Sequence, residues 1–153
     1  MINWKEVKPS NFEKFIFYVL GKMGFHDRRW YGKGGGDGGR DIVAYTTEEL
    51  PFNLEYQRKW IFQCKKWGKM PSNNTIINEI QTARQHKPDF WVLVITVDPT
   101  PNQIDWFNRL NTNGDFPFKI KFIPLAVIEE IIYTYPESKN ILYYGDINEG
   151  SLV

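Results

Sequence analysis

Two short stretches decide how this chain is read: Gly38-Gly39-Arg40-Asp41-Ile42 and, further along, Phe62-Gln63-Cys64-Lys65. The first leaves a glycine-rich turn for an apolar run, with a carboxylate at its mouth. The second is an apolar run carrying a polar pair at i and i+2. Side chains alternate across a strand, so Gln63 and Lys65 point to one face while Phe62 and Cys64 point to the other. If the two runs pair in a sheet, Asp41, Gln63 and Lys65 converge. A carboxylate, an amide oxygen and an ammonium can cradle one hard metal ion and one phosphodiester.

Elements read outward from these stretches. Ser10 as N-cap and Glu13 at N3 predict a capping box that starts a helix. Phe12, Phe15, Ile16, Val19, Leu20 and Met23 recur at helical spacing, and Gly24 is a natural stop. Phe25 to Tyr31 is expected to be a first strand. Six of the eight residues from Gly32 to Gly39 are glycine, a stretch open to backbone angles closed to other residues. Ile42 to Thr46 reads as a strand, Thr47 to Lys59 as a long polar hairpin loop broken by Pro51, and Trp60 to Lys65 as a central strand. Ser72 to Lys87 is expected to be a helix with Ile76, Ile77, Ile80 and Ala83 on its inner face, ended by Pro88. The continuous apolar run Phe90 to Val97 predicts a strand buried on both faces. A helix near Gln103 to Leu110, a strand over Lys119 to Pro124 and a helix over Leu125 to Tyr133 complete the reading. This order predicts an α/β layered domain with a mixed sheet.

The same residues resemble the PD-(D/E)xK nuclease superfamily, and within it the Mrr-like restriction endonucleases. The resemblance runs through Ser10-Asn11-Phe12-Glu13, Gly24-Phe25, Gly36-Asp37-Gly38-Gly39-Arg40-Asp41 and Gln63-Cys64-Lys65, roughly the first two thirds of the chain. It implies a three-layer restriction-endonuclease-like fold with a central mixed β-sheet flanked by helices, built on an α-β-β-β-α-β core. It further implies a metal-dependent endonuclease domain acting on DNA phosphodiesters, the cutting module of a restriction or defence system. A catalytically inactive nucleic-acid-binding or assembly module on the same fold is the alternative. Asp41, Gln63, the Cys64 backbone carbonyl and Glu13 would hold Mg²⁺ or Mn²⁺, and Lys65 would contact the scissile phosphate. Gln63 replaces the usual acidic residue, brings no charge, and makes a second carboxylate such as Glu13 more necessary.

Each residue also has a plainer reading. Asp37 rivals Asp41 but suits turn chemistry. Glu13 is accounted for by its capping box, Lys65 by a solvated charge, and Trp60 and Trp67 by either core packing or base stacking. Gly39 is followed by Arg40-Asp41, not Lys-Ser/Thr, which argues against a nucleotide phosphate loop. His26, His86 and a single cysteine give no structural zinc pattern.

At 153 residues, 42% hydrophobic and 24% charged, the chain suits one domain with a real core. That domain is expected to span 1–153, with a core over about 9–98, an added strand and helices over about 99–135, and an acidic tail over 136–153. A net charge of +1 argues against an indiscriminate DNA binder. The basic residues cluster, however: Arg58, Lys59, Lys65, Lys66 and Lys69 fall in one acid-free run. Arg40, Arg58, Lys59, Lys66 and Lys69 are therefore candidates for nucleic-acid contact. A lone cysteine and the lack of any long apolar run suit a soluble cytoplasmic domain with no membrane partner. The expected partner is double-stranded DNA, with a homodimer or a larger protein carrying target recognition left open.

Overall fold

The computed structural model describes residues 1–32 and 40–147. Its centre is a sheet of five strands in the order β1-β2-β3-β4-β5: β1 His26–Trp30, β2 Ile42–Leu50, β3 Leu54–Lys65, β4 Phe90–Ile95 and β5 Lys119–Ile123. β1/β2 and β2/β3 pair antiparallel, β3/β4 and β4/β5 parallel. The mixture follows from the connections. A tight turn can only return a strand antiparallel, whereas a helical crossover sets the next strand parallel. α2 (Asn73–Arg84) and α3 (Pro101–Thr112) are those crossovers.

Both crossovers step the same way along the sheet, and right-handed connections then place both helices on one face. Ile76, Ile80 and Ala83 of α2 and Phe107 and Leu110 of α3 pack there against Val43, Ile61, Trp91, Leu93, Ile95 and Ile120. The opposite face holds Ile42, Ala44, Phe62, Val92 and Val94 against α1 (Pro9–Lys22), α4 (Leu125–Thr134) and α5 (Lys139–Tyr144). β4 feeds alternate residues into the two cores, which is why it reads as an unbroken apolar run. Each fully buried side chain of this kind stabilises the fold by about 1.5–3 kcal/mol. The result is the expected three-layer α/β fold.

Several local expectations are corrected. α1 begins at Pro9, with Lys8 as its N-cap and no side-chain cap, so the Ser10–Glu13 capping box does not form. Proline suits the first helical position because its missing N–H would have no intrahelical partner there. The helix ends as expected: Phe25 N–H donates to Leu20 O at 3.0 Å and Gly24 N–H to Gly21 O at 3.3 Å, with Gly24 at φ +96°. That is a Schellman closure, which favours glycine.

The polar segment Thr47 to Lys59 is not a loop. β2 continues to Leu50 and β3 starts at Leu54, with only Pro51–Asn53 turning between them. The register holds without a break from Ile42↔Phe62 to Leu50↔Leu54. Beyond His26↔Tyr45 and before Trp60↔Phe90 no third strand joins this ribbon among the described residues, so its side chains need no apolar face.

α5 lies within the stretch read as an acidic tail. Its Ile141 and Leu142 are buried, and Asn11 Nδ2 donates to Leu142 O at 3.3 Å.

Candidate active site

Asp41 occupies the step immediately before β2. Its N–H donates to Phe62 O at 2.9 Å and its carbonyl accepts from Tyr31 N–H at 2.7 Å. Its carboxylate Oδ2 accepts from Cys64 N–H at 2.7 Å. β2 has begun by Ile42, so the last N–H that β3 turns toward it finds a side chain in place of a strand. Only 6% of Asp41 is exposed, and the same fraction of Gln63. Gln63 and Lys65 share the α2 face of the sheet with Ile61, and the bonds from Asp41 N–H to Phe62 O and from Cys64 N–H to Asp41 Oδ2 bring the Asp41 carboxylate to the same end of β3. The structure therefore places Asp41, Gln63 and Lys65 at one end of β3.

Main-chain groups alternate in direction along a strand. Lys65 O accepts from Thr96 N–H on the β4 side, so the Cys64 carbonyl turns to the β2 side, beside Asp41. The Cys64 side chain lies on the opposite face, packed against the α1 core. Asp41, Gln63 and the Cys64 carbonyl thus offer only oxygens, the donor chemistry that suits Mg²⁺ or Mn²⁺. Among the described residues there is no group of three or more His, Cys, Asp or Glu placed to hold a metal.

Glu13 approaches from α1. With no capping box to make, its Oε1 accepts from Trp30 Nε1 at 2.9 Å. A Cβ at Gly32 would collide with that carboxylate and with the Trp30 indole. Glu13 therefore stands at the end of β1, beside the Tyr31–Asp41 bond, on the α1 side of the sheet. Asp37 lies outside the described residues.

Residues 4–113 match the family model described as "Restriction endonuclease", Mrr_cat. The chain belongs to that family. The Mrr-like resemblance carried by Asp41 and Gln63-Cys64-Lys65 is thereby borne out. Two solved structures share the fold. The DNA modification-dependent restriction endonuclease AspBHI aligns with a TM-score of 0.58 at 13% identity, over 95% of this chain and 36% of that one. The MspJI restriction endonuclease, solved in complex with a 27-mer oligonucleotide, gives 0.52 at 14% identity, over 91% of this chain and 30% of that one. This Mrr-like chain spans about a third of the length of either. No curated protein matched it.

One residue of this Mrr-like site was missed in the sequence. Glu79 of α2 forms an ion pair with Lys65 Nζ, the side chains being 20% and 12% exposed. The Lys65 ammonium also stands 4.9 Å from the ring centroid of Trp67. Ser72 caps α2 by accepting from Thr75 N–H, and Ile76, Ile80 and Ala83 anchor the helix over the sheet. Glu79 lies three residues from Ile76, within that inner stripe. A charge on an apolar stripe was the available signal.

The predicted cations do not form one patch. Lys69 is exposed, and Lys66 Nζ donates to Trp4 O at 3.0 Å. Arg58 pairs with Glu48 at 3.0 Å. It lies seven residues back along β3 from Lys65, about 23 Å at strand rise. Arg40 stacks over Tyr31 at 4.3 Å and bonds His86 Nδ1 at 2.8 Å, while Lys59 Nζ donates to His86 O at 2.7 Å. Trp60 is core, stacked on Phe90 with centroids 4.0 Å apart. Trp67 is 42% exposed.

Proposed function

We propose that this chain is a divalent-metal-dependent endonuclease domain that hydrolyses DNA phosphodiester bonds. The observation that carries the reading is the convergence of buried Asp41 and Gln63 with Lys65 at one strand mouth. Membership of a restriction endonuclease family supports it. The Asp41 carboxylate, the Gln63 amide oxygen and the Cys64 carbonyl would hold Mg²⁺ or Mn²⁺, with Glu13 assisting from α1. When bound, such an ion polarises a phosphoryl oxygen and makes a water acidic enough to attack.

The chain's own residues do the remaining work. Cys64 N–H fixes the Asp41 carboxylate, so its second oxygen keeps one orientation. Lys65 directs its ammonium at the scissile phosphate and offsets the charge that grows there. Glu79 positions Lys65 and limits its side-chain freedom. Arg40, Arg58, Lys59, Lys66 and Lys69 contact backbone phosphates, which positions a duplex without reading its sequence.

Target recognition falls to another part of a larger protein, or to a partner, as the short coverage of AspBHI and MspJI suggests. A homodimer would supply the second cut of a duplex. The chain would serve as a cytoplasmic cutting module in restriction or defence. The neutral Gln63 favours one second reading, an inactive module that binds nucleic acid.

The deciding experiment is incubation of supercoiled plasmid with the chain in Mg²⁺, Mn²⁺ or EDTA, beside Asp41→Ala and Lys65→Ala. Metal-dependent nicking lost in both variants is the expected result. Binding without cleavage by the wild type would support the inactive module instead.

A further inference from the structure

We propose that a cavity on the face of β1, β2 and β3 is a subsite for one unpaired nucleotide of a nucleic-acid strand, next to the catalytic end. The proposal rests on the nucleic-acid reading above and adds a substrate feature to it. The cavity has a volume of about 460 Å³, and Arg29, Arg40, Lys59, Tyr31, Tyr45 and Gln57 line it. That volume is in the range of small-molecule sites, and the lining combines three cations with two aromatic rings.

The cations are placed, not scattered. Arg29 lies opposite Val43 across β1/β2, and Lys59 lies opposite Tyr45 across β2/β3. Arg40 and Lys59 are both tethered to His86, one at its ring and one at its carbonyl. A guanidinium only donates, so His86 Nδ1 accepts and the neutral ring carries its proton on Nε2. Each cation keeps further N–H donors after making that bond. Among the described residues no ion pair involves Arg29, Arg40 or Lys59. Asp27, also on the rim, is engaged with His26 Nδ1 at 2.7 Å. Three cations against the one carboxylate of Asp27 leave the lining net positive, which selects an anion.

The Tyr45 ring selects more than an anion. Tyr45 is half-buried at the cavity wall, and base–aromatic stacking requires a base out of its own stack. Gln57 adds an amide that can both donate and accept at a base edge. Tyr45 lies four residues beyond Asp41, about 13 Å at strand rise. A strand cut at Asp41 could place a neighbouring nucleotide in the cavity.

The test is fluorescence anisotropy with a labelled oligonucleotide, as single strand and as duplex, in EDTA so that nothing is cut. Tyr45→Leu should weaken single-strand binding about ten-fold with an unchanged salt slope, and should spare the duplex. Tyr45→Phe should bind like the wild type. Arg29→Gln, at an exposed position, and Lys59→Gln should each flatten the log–log salt slope by about 0.7. Unchanged affinity in Tyr45→Leu, or unchanged slopes in both cation variants, would overturn the proposal. Tighter binding of dAMP than of the oligonucleotide would assign the cavity to a free nucleotide and overturn it too. Plasmid cleavage separates the two ideas: a cleaving enzyme with unaffected variants loses only the subsite. A non-cleaving chain whose variants behave as expected loses only the nuclease reading.

Discussion

Lys65 of β3 and Glu79 of α2 are ion-paired across the layer between sheet and helix, with 12% and 20% of their side chains exposed. The pair is too enclosed for the near-zero value of a surface bridge and too wet for the full cost of breaking a buried one. Glu79→Ala is expected to lower stability by about 1–3 kcal/mol in urea unfolding, with an unchanged m value. A loosened lysine also loses aim, so plasmid cleavage should fall about 10²-fold. Full cleavage by Glu79→Ala would remove Glu79 from the site.

Asp41 holds Cys64 N–H and, on the proposed reading, also holds the metal; two substitutions separate these roles. Asp41→Asn keeps an oxygen for Cys64 N–H but removes the charge. It should melt close to the wild type yet lose Mn²⁺ binding in calorimetry and all detectable cleavage. Asp41→Ala also leaves that N–H without its acceptor and should cost a further ~1–3 kcal/mol. Equal melting temperatures for the two variants would refute the structural half.

Ile80 is fully buried between α2 and the sheet and sits one residue from Glu79. Ile80→Ala is expected to destabilise by about 2–5 kcal/mol, read as roughly 2–4 °C of melting temperature per kcal/mol. A smaller loss would mean that α2 is not the rigid support assumed for Glu79.

Tyr18 of α1 donates to Glu137 Oε2 at 2.7 Å. That bond holds the Glu137 carboxyl below its ordinary value of 4.5. Burial first, then the bond and charge of Glu137, pushes the Tyr18 hydroxyl from 10.0 up to about 12. A lowered acid stabilises the fold above its unfolded value and loses that contribution as pH falls through the folded one. A raised tyrosine contributes fully below 10.0 and loses it as pH rises towards about 12. The melting difference between wild type and Tyr18→Phe should therefore be flat through neutral pH and shrink at both extremes. A difference independent of pH below 4.5 would exclude the Glu137 contribution.

What the sequence revealed depended on whether a residue's partner was near in the chain. β4 and the inner stripe of α2 were legible because burial imposes a period. That Gln63 and Lys65 share a face was legible from alternation; the off-register bonds that bring Asp41 to Phe62 O and Cys64 N–H were not. The ribbon from Thr47 to Lys59 was not, since strands without a covered face need no apolar alternation. Glu13 was misread locally: Pro9 begins the helix, and the true partner, Trp30, comes from another element. α5 was hidden by counting charge over a stretch in which Ile141 and Leu142 do the packing. The spread of Arg58 and Lys65 along one long strand cannot be seen in a run of basic letters.

The β2–β3 ribbon has a dynamic consequence. From Thr46↔Arg58 to Leu50↔Leu54 its two strands pair, among the described residues, only with each other, and Phe52 at the turn is 91% exposed. Toward its other end β3 pairs with both β2 and β4 through Phe62, and Ile61, Phe62 and Gln63 are buried. Such a strand opens in stages, its outer amides exchanging hydrogen through local excursions and its inner ones only when the whole domain unfolds. Protection should climb from Leu54 to Phe62 and Cys64. The residues proposed to react are mounted toward that protected end of β3.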